Sequence, residues 1–380
     1  MPAPQISAHK GRTGARNRQH GHAPLHVIVH PIHFIPLEVL AAILITASEE
    51  DLMFPVVASH VCRTWRSVAL HTPRLWRTVD LDHREQMWAE RVRRSKSCTL
   101  DIRVRSPQYQ VLRRAYLPAP ITEAELIQHK MSFATAYLNR WRSLNITISR
   151  HAPYLWNAAL SDCCSAWART RPGALEELTL VYPQNDDATE FLLFGGYAPS
   201  LRRVTLEGIR VNWLPSLYHN LTSLNYTHHG FTSGIDAIRD IVYMLRVSCH
   251  LRELTLTFSH ATRIPSNVSQ HPKVSLRRPI NLPLLTSLKF QIGLMDIPKE
   301  LCHVAALLHT PSLTEVYFVD LLYRRRSYPS THGFFKRYAF PSSLQVMRRD
   351  LGWCEPFMAS CACVHPHSRS ACPANKHYHV

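Results

Sequence analysis

The apolar positions near the start of the chain fall into short, helix-spaced stripes. Leu37, Leu40, Ile43 and Leu44 recur at three- and four-residue intervals, the period that places side chains on one face of a helix. Pro36 suits the first turn of that helix, where its missing N–H costs nothing, and Glu38 suits the positive end of the helix dipole. An acidic loop is expected at Ser48 to Asp51. Val57, Val61, Trp65 and Val68 follow at intervals of four, four and three, which predicts one further helix with a single apolar stripe. Thr72-Pro73 reads as a third helix start, with Thr72 as cap and Leu75 and Trp76 behind it, and Thr78 to Leu81 reads as a brief strand. Three short helices in about fifty residues enclose too small a core to stand alone. Their apolar faces need something to pack against.

Beyond Leu81 helix-like and strand-like periods alternate. Met87, Arg91 and Val92 lie in a charged helical stretch ending near Lys96, and Leu100, Ile102 and Val104 then alternate with polar residues at the strand period of two. Thr122 and Glu125 form a capping-box signature ahead of Ile127, Met131 and Ala134, after which Leu144, Ile146 and Ile148 alternate. From about residue 172 the strands share an L-x-x-L-x-L phrase. The copies are Leu175/Leu178/Leu180, Leu201/Val204/Leu206, Leu221/Leu224/Tyr226, Leu251/Leu254/Leu256, Leu285/Leu288/Phe290 and Leu313/Val316/Phe318. Their leading leucines stand 26, 20, 30, 34 and 28 residues apart, bracketing the leucine-rich-repeat period of roughly 20 to 29. No such unit buries its apolar face without a neighbour, so about three or more must stack. The expected fold is mixed α/β: a small three-helix unit followed by an irregular leucine-rich-repeat-like solenoid. The competing expectation is an ordinary α/β domain with leucine-rich strands, and the absence of a Gly-rich strand-to-helix turn weighs against it.

Composition narrows the function classes. Of 380 residues 46% are hydrophobic, enough for a real core, and no apolar run approaches the ~20 residues that span a bilayer. Residues 1–31 are polar, basic and His-rich without an apolar period, which predicts a disordered arm that lacks the apolar core of a secretory signal. The ten cysteines then read as reduced thiols, and the expected location is cytoplasm or nucleus. A net charge of +17 admits nucleic-acid binding. However, the arginines are dispersed, the densest runs being Arg91-Val92-Arg93-Arg94 and Arg324-Arg325-Arg326, and no nucleic-acid motif accompanies them. Solvated surface or a groove for an acidic protein is the preferred reading.

No phosphate loop, dinucleotide fingerprint, nucleophile elbow or H-E-x-x-H helix occurs, so catalytic and cofactor-binding residues are expected to be absent. The last 27 residues gather Cys354, Cys361, Cys363, His365, His367, Cys372, His377 and His379. Ligands at every second residue do not match finger-type spacing, so no metal is expected there, and residues 351–380 read as a disordered Cys/His-rich tail.

One segment resembles a known family. Ile35-Pro36-Leu37-Glu38-Val39-Leu40, then Val57 to Leu70 with its Val61-Cys62-Arg63-Thr64-Trp65-Arg66 phrase, then Thr72-Pro73-Arg74-Leu75-Trp76 resemble, in order, the F-box-like domain of fungal F-box proteins, in which irregular leucine-rich repeats follow the F-box. Ile35 stands where that family usually has Leu. The resemblance implies an F-box-like domain over 32–80 and a leucine-rich-repeat-like substrate-binding region over 81–350. It implies a non-catalytic substrate-recognition subunit of a Skp–cullin–F-box ubiquitin ligase, docking a Skp-type adaptor and, through it, a cullin–RING ligase, while the repeats hold an unknown target protein. The adaptor-binding residues it implies are Ile35, Pro36, Leu37, Val39, Leu40, Ile43, Leu44, Val57, Val61, Cys62 and Trp65. The alternative is a basic interaction scaffold or nucleic-acid-binding protein with no ubiquitin role.

Overall fold

The computed structural model describes residues 34–82, 85–105, 122–151, 153–164, 171–259, 276, 278–324 and 326–354. The basic arm and the Cys/His tail beyond Cys354 lie outside the described residues, as does Arg325.

Three helices open the described chain: α1 (Leu37–Glu50), α2 (Phe54–Ser59) and α3 (Arg63–His71), followed by a 3-10 turn at Pro73–Trp76. Two expectations are corrected here. Helix α1 runs through Ser48–Glu50, so the acidic loop shrinks to Asp51–Met53, with the Asp51 carboxylate accepting from Met53 N at 2.8 Å. The single helix expected over Val57 to Val68 is two. The chain turns extended at Cys62 (φ −155°, ψ 173°), whose Sγ accepts from Trp65 N and so caps α3. Thr72 makes no side-chain cap bond, and the turn behind it is held instead by the Trp76 indole, which donates to Ala69 O at 2.8 Å. Leu40, Leu44, Ala58, Val68, Ala69, Leu75 and Trp76 form the small core of this unit.

Strand β1 (Thr78–Asp80) begins a ten-stranded sheet. The remaining elements, in chain order, are α4 (Glu85–Arg94), β2 (Leu100–Arg105), α5 (Glu123–Thr135), β3 (Trp141–Thr147), α6 (Leu155–Cys164), β4 (Glu177–Val181), β5 (Glu190–Phe191), β6 (Arg203–Glu207), β7 (Arg210–Val211), α7 (Pro215–Tyr218), β8 (Ser223–Thr227), α8 (Gly234–Val247), β9 (Glu253–Phe258), β10 (Ile280–Asn281), β11 (Ser287–Ile292), α9 (Lys299–Leu307), β12 (Leu308–His309), β13 (Glu315–Asp320), α10 (Thr331–Arg337) and β14 (Val346–Arg349). The sheet order is β1-β2-β3-β4-β6-β8-β9-β11-β13-β14, every neighbour is parallel, and the chain visits the strands in sequence. Parallel neighbours require a crossover each time, and moving always in one direction sends every crossover over the same face.

The leucine phrases are the ladder of that sheet. One row runs Val79, Ile102, Leu144, Leu178, Val204, Leu224, Leu254, Leu288, Val316 and Met347, each in register with the next. All but the last are almost fully buried, and they share one core with helix residues such as Ile127, Leu160, Ile241, Leu245 and Leu301. The capping box at Thr122 and Glu125 is formed. The Trp141 indole donates to Ala134 O near the end of α5, as Trp76 does to Ala69 near the end of α3, satisfying terminal carbonyls that a helix leaves open. The far end of the sheet is closed by Phe290, Phe318, Phe334 and Trp353, whose indole donates to Val319 O at 3.1 Å.

The small helical unit is tied to the sheet by arginines. Arg91 of α4, 3% exposed, donates to Thr78 O at 3.0 Å and to Leu52 O. The Arg94 guanidinium lies 4.3 Å from the Trp76 ring centre, and Glu90 holds both Arg93 and Arg94. The expectation of a solvated basic run at 91–94 is corrected at Arg91, which is buried in the joint, and at the half-buried Arg94, while Arg93 is exposed as expected.

Candidate functional site

The helical unit leaves a large part of its apolar surface uncovered. Leu37 is 56% exposed, Val39 49%, Ile43 47%, Val57 54% and Val61 58%. Pro36, Val39 and Ile43 follow at intervals of three and four along α1 and flank the buried Leu40 and Leu44. Single exposed aliphatics are ordinary. Several exposed aliphatics beside one small core make an apolar patch of the kind that suits a partner.

Of the eleven residues expected to meet an adaptor, six lie on this surface: Pro36, Leu37, Val39, Ile43, Val57 and Val61. Leu40 and Leu44 are corrected out of it, because at 3% and 0% exposure they face α2 and α3 inside the small core. Ile35 and Trp65 pack half-buried against that core, and the half-buried Cys62 serves as the cap of α3. Two exposed residues escaped the sequence reading, Phe34 at 75% and Leu70 at 37%. The signal was position: Phe34 precedes Ile35-Pro36, and Leu70 closes the segment that begins at Val57.

A second surface is the outward face of the sheet. Its central row runs Asp80, Arg103, Asn145, Thr179, Thr205, Asn225, Thr255, Lys289, Tyr317 and Arg348, in register from strand to strand. From Arg103 onward these side chains are half-buried or exposed, because the helices pack on the opposite face. Parallel sheets ordinarily carry helices on both faces, so an open one is informative. The row is polar and mostly uncharged in its middle and basic at its end, where Lys289 and Arg348 each lie under 6 Å from the Tyr317 ring. Beyond the strand ends, exposed Met295, Leu322 and Tyr323 form a rim, with Arg324 donating to Met295 O at 2.6 Å.

The thiols of the core are not poised for chemistry. Burial pushes Cys163 and Cys302 up and Cys164 up to about 11, so these thiols stay protonated at neutral pH and are poor nucleophiles. Among the described residues no helix is long and apolar enough to cross a membrane.

Residues 32–82 match the family described as F-box-like. That span holds the whole helical unit, the 3-10 turn and β1. No curated protein matches the chain.

Proposed function

We propose that this chain is a substrate-recognition subunit of a Skp–cullin–F-box ubiquitin ligase. The F-box-like segment is of a kind that serves as a non-catalytic adaptor module binding Skp-type adaptors, and the observation that carries the reading is its uncovered stripe of Pro36, Leu37, Val39, Ile43, Val57 and Val61. Burying these half-exposed aliphatics against an apolar groove supplies the driving force for docking.

The region after β1 is read as a leucine-rich-repeat-like solenoid, supported by ten parallel strands in sequence order and by the leucine ladder. Its open sheet face and the Met295–Tyr323 rim hold the target protein. Mechanism is then proximity: the target's lysine is kept close to a ubiquitin-charged enzyme, which raises effective concentration without any reacting group from this chain. The work takes place in cytoplasm or nucleus. The burial of Arg91 against backbone carbonyls and the stacking of Arg94 on Trp76 take two of the three arginines of this basic run away from the nucleic-acid alternative.

The test is co-purification of the full chain with a Skp-type adaptor and a cullin. A complex that survives high salt supports the reading. No complex with the wild-type chain, or association only with RNA or DNA that collapses as salt rises, overturns it.

A further inference from the structure

His219 follows the single turn of α7, and Cys249 and His250 follow Ser248 at the end of α8. His219 stands two positions before Leu221, and Cys249 two before Leu251, the fully buried leading leucines of two successive strands. They therefore occupy one place in neighbouring units, and pairing of β8 with β9 brings them side by side, with Arg252 N donating to Thr222 O at 2.8 Å. The His219 Nδ1 lies 3.7 Å from Cys249 Sγ, and the His250 Nδ1 lies 3.9 Å from it. The two imidazoles meet edge to face, 4.5 Å between centres and 82° between planes. One ligand atom from each of the three residues falls within 4.8 Å of the others, and among the described residues no other such trio of His, Cys, Asp or Glu is found.

We infer that His219, Cys249 and His250 form a binding site for a zinc-class divalent cation. One thiolate and two imidazoles are the donor set that suits a borderline-soft ion, and three protein ligands leave the fourth tetrahedral position for water. With Zn–S of about 2.3 Å and Zn–N of about 2.0 Å, a tetrahedral site puts sulfur and nitrogen about 3.5 Å apart, a few tenths of an ångström closer than His219 already stands. The His219 carbonyl accepts from His250 Nδ1 at 3.0 Å. That bond orients the ring; on binding, the ring proton passes to Nε2 through solvent, and Nδ1, the nitrogen 3.9 Å from Cys249 Sγ, exchanges the carbonyl for the ion. On binding, the Cys249 thiol loses its proton to solvent and the sulfur forms the metal bond. Cys249 is half-buried and both histidines are exposed, so the ion has an open path. Its effect is to clamp two adjacent units across residues 30 apart in sequence.

The experiment is a Co2+ titration of the full chain carrying Cys354→Ser, Cys361→Ser, Cys363→Ser and Cys372→Ser, which remove the thiols of the Cys/His-rich tail. One equivalent of Co2+ is expected, with thiolate-to-metal charge-transfer absorption in the near ultraviolet and tetrahedral bands in the visible, displaced by Zn2+. Adding Cys249→Ser should abolish the charge-transfer band, and His219→Ala or His250→Ala should weaken binding by more than about tenfold, with circular dichroism unchanged because both histidines are exposed and serine is close to cysteine in size. No Co2+ uptake, or a charge-transfer band that persists in Cys249→Ser, overturns the inference.

Discussion

Truncating the exposed stripe of α1 should cost adaptor binding without costing the fold. Leu37 and Ile43 are about half exposed, at 56% and 47%. Fully burying such a side chain is worth about 1.5–3 kcal/mol, so covering the remaining half yields roughly 1 kcal/mol for each. The Leu37→Ala, Ile43→Ala double variant should then lose about 2 kcal/mol of docking energy, roughly a 30-fold rise in Kd. Its folding stability should stay within about 0.5 kcal/mol of wild type, since the residues touch little in the free chain and Ala favours helix. Leu40→Ala and Leu44→Ala provide the contrast: both side chains fill the small core, so each should cost about 2–5 kcal/mol of stability. Isothermal titration calorimetry against a purified Skp-type adaptor, at low and high salt, with urea unfolding of each variant, separates the two effects. An apolar interface keeps its Kd as salt rises. Wild-type affinity in the Leu37/Ile43 double variant, with binding lost only in variants that unfold, would refute the assignment of this face.

Three further outcomes follow from the geometry. Gly208 has φ +68°, and a Cβ there would stand 1.8 Å from Tyr182 O, a backbone atom that cannot step aside; Gly208→Ala should lower the urea midpoint severely, while Gly173→Ala, with nothing within 4 Å, should leave it nearly unchanged. Trp76→Phe removes the indole donor to Ala69 O and narrows the ring beneath Arg94, so unfolding should report a loss of about 1–3 kcal/mol, and Trp76→Ala, which removes the ring altogether, about 3–5. Hydrogen bonds from Arg93, and then from Arg94, hold the Glu90 carboxyl down to about 2, so it adds stability that is present above the ordinary carboxylate range and lost as pH falls through about 2. The difference in urea midpoint between wild type and Glu90→Gln should therefore shrink between about pH 5 and pH 2, and a difference that grows would contradict the pairing; the carboxylate is largely solvated, so the effect is small.

Local signals carried far in this sequence because each has a local cause. The capping box at Thr122 and Glu125 needs only one helical turn, and it is formed as the spacing demands. All six leucine phrases from Leu175 to Phe318 are buried strands, since a period of two with Leu at alternate positions has one way to face a core. The helices at 155–164 and 234–247 went unread in the sequence, although Leu155, Ala159 and Cys163, and Ile238, Ile241 and Leu245, stand at helical spacing. The F-box-like segment was readable from three short phrases in order. Tertiary structure decided what periodicity cannot. Val57 and Leu44 are both helix-spaced aliphatics, yet one is 54% exposed and the other 0%, because the turns at Asp51–Met53 and Cys62 set which side of α2 meets α1 and α3. Arg91 reads as surface charge until the packing of α4 under Trp76 buries it against two backbone carbonyls. The meeting of His219 with Cys249 and His250 likewise belongs to the fold. Residues 30 apart in sequence become neighbours only when their strands pair, and that register is set by the leucines beneath them.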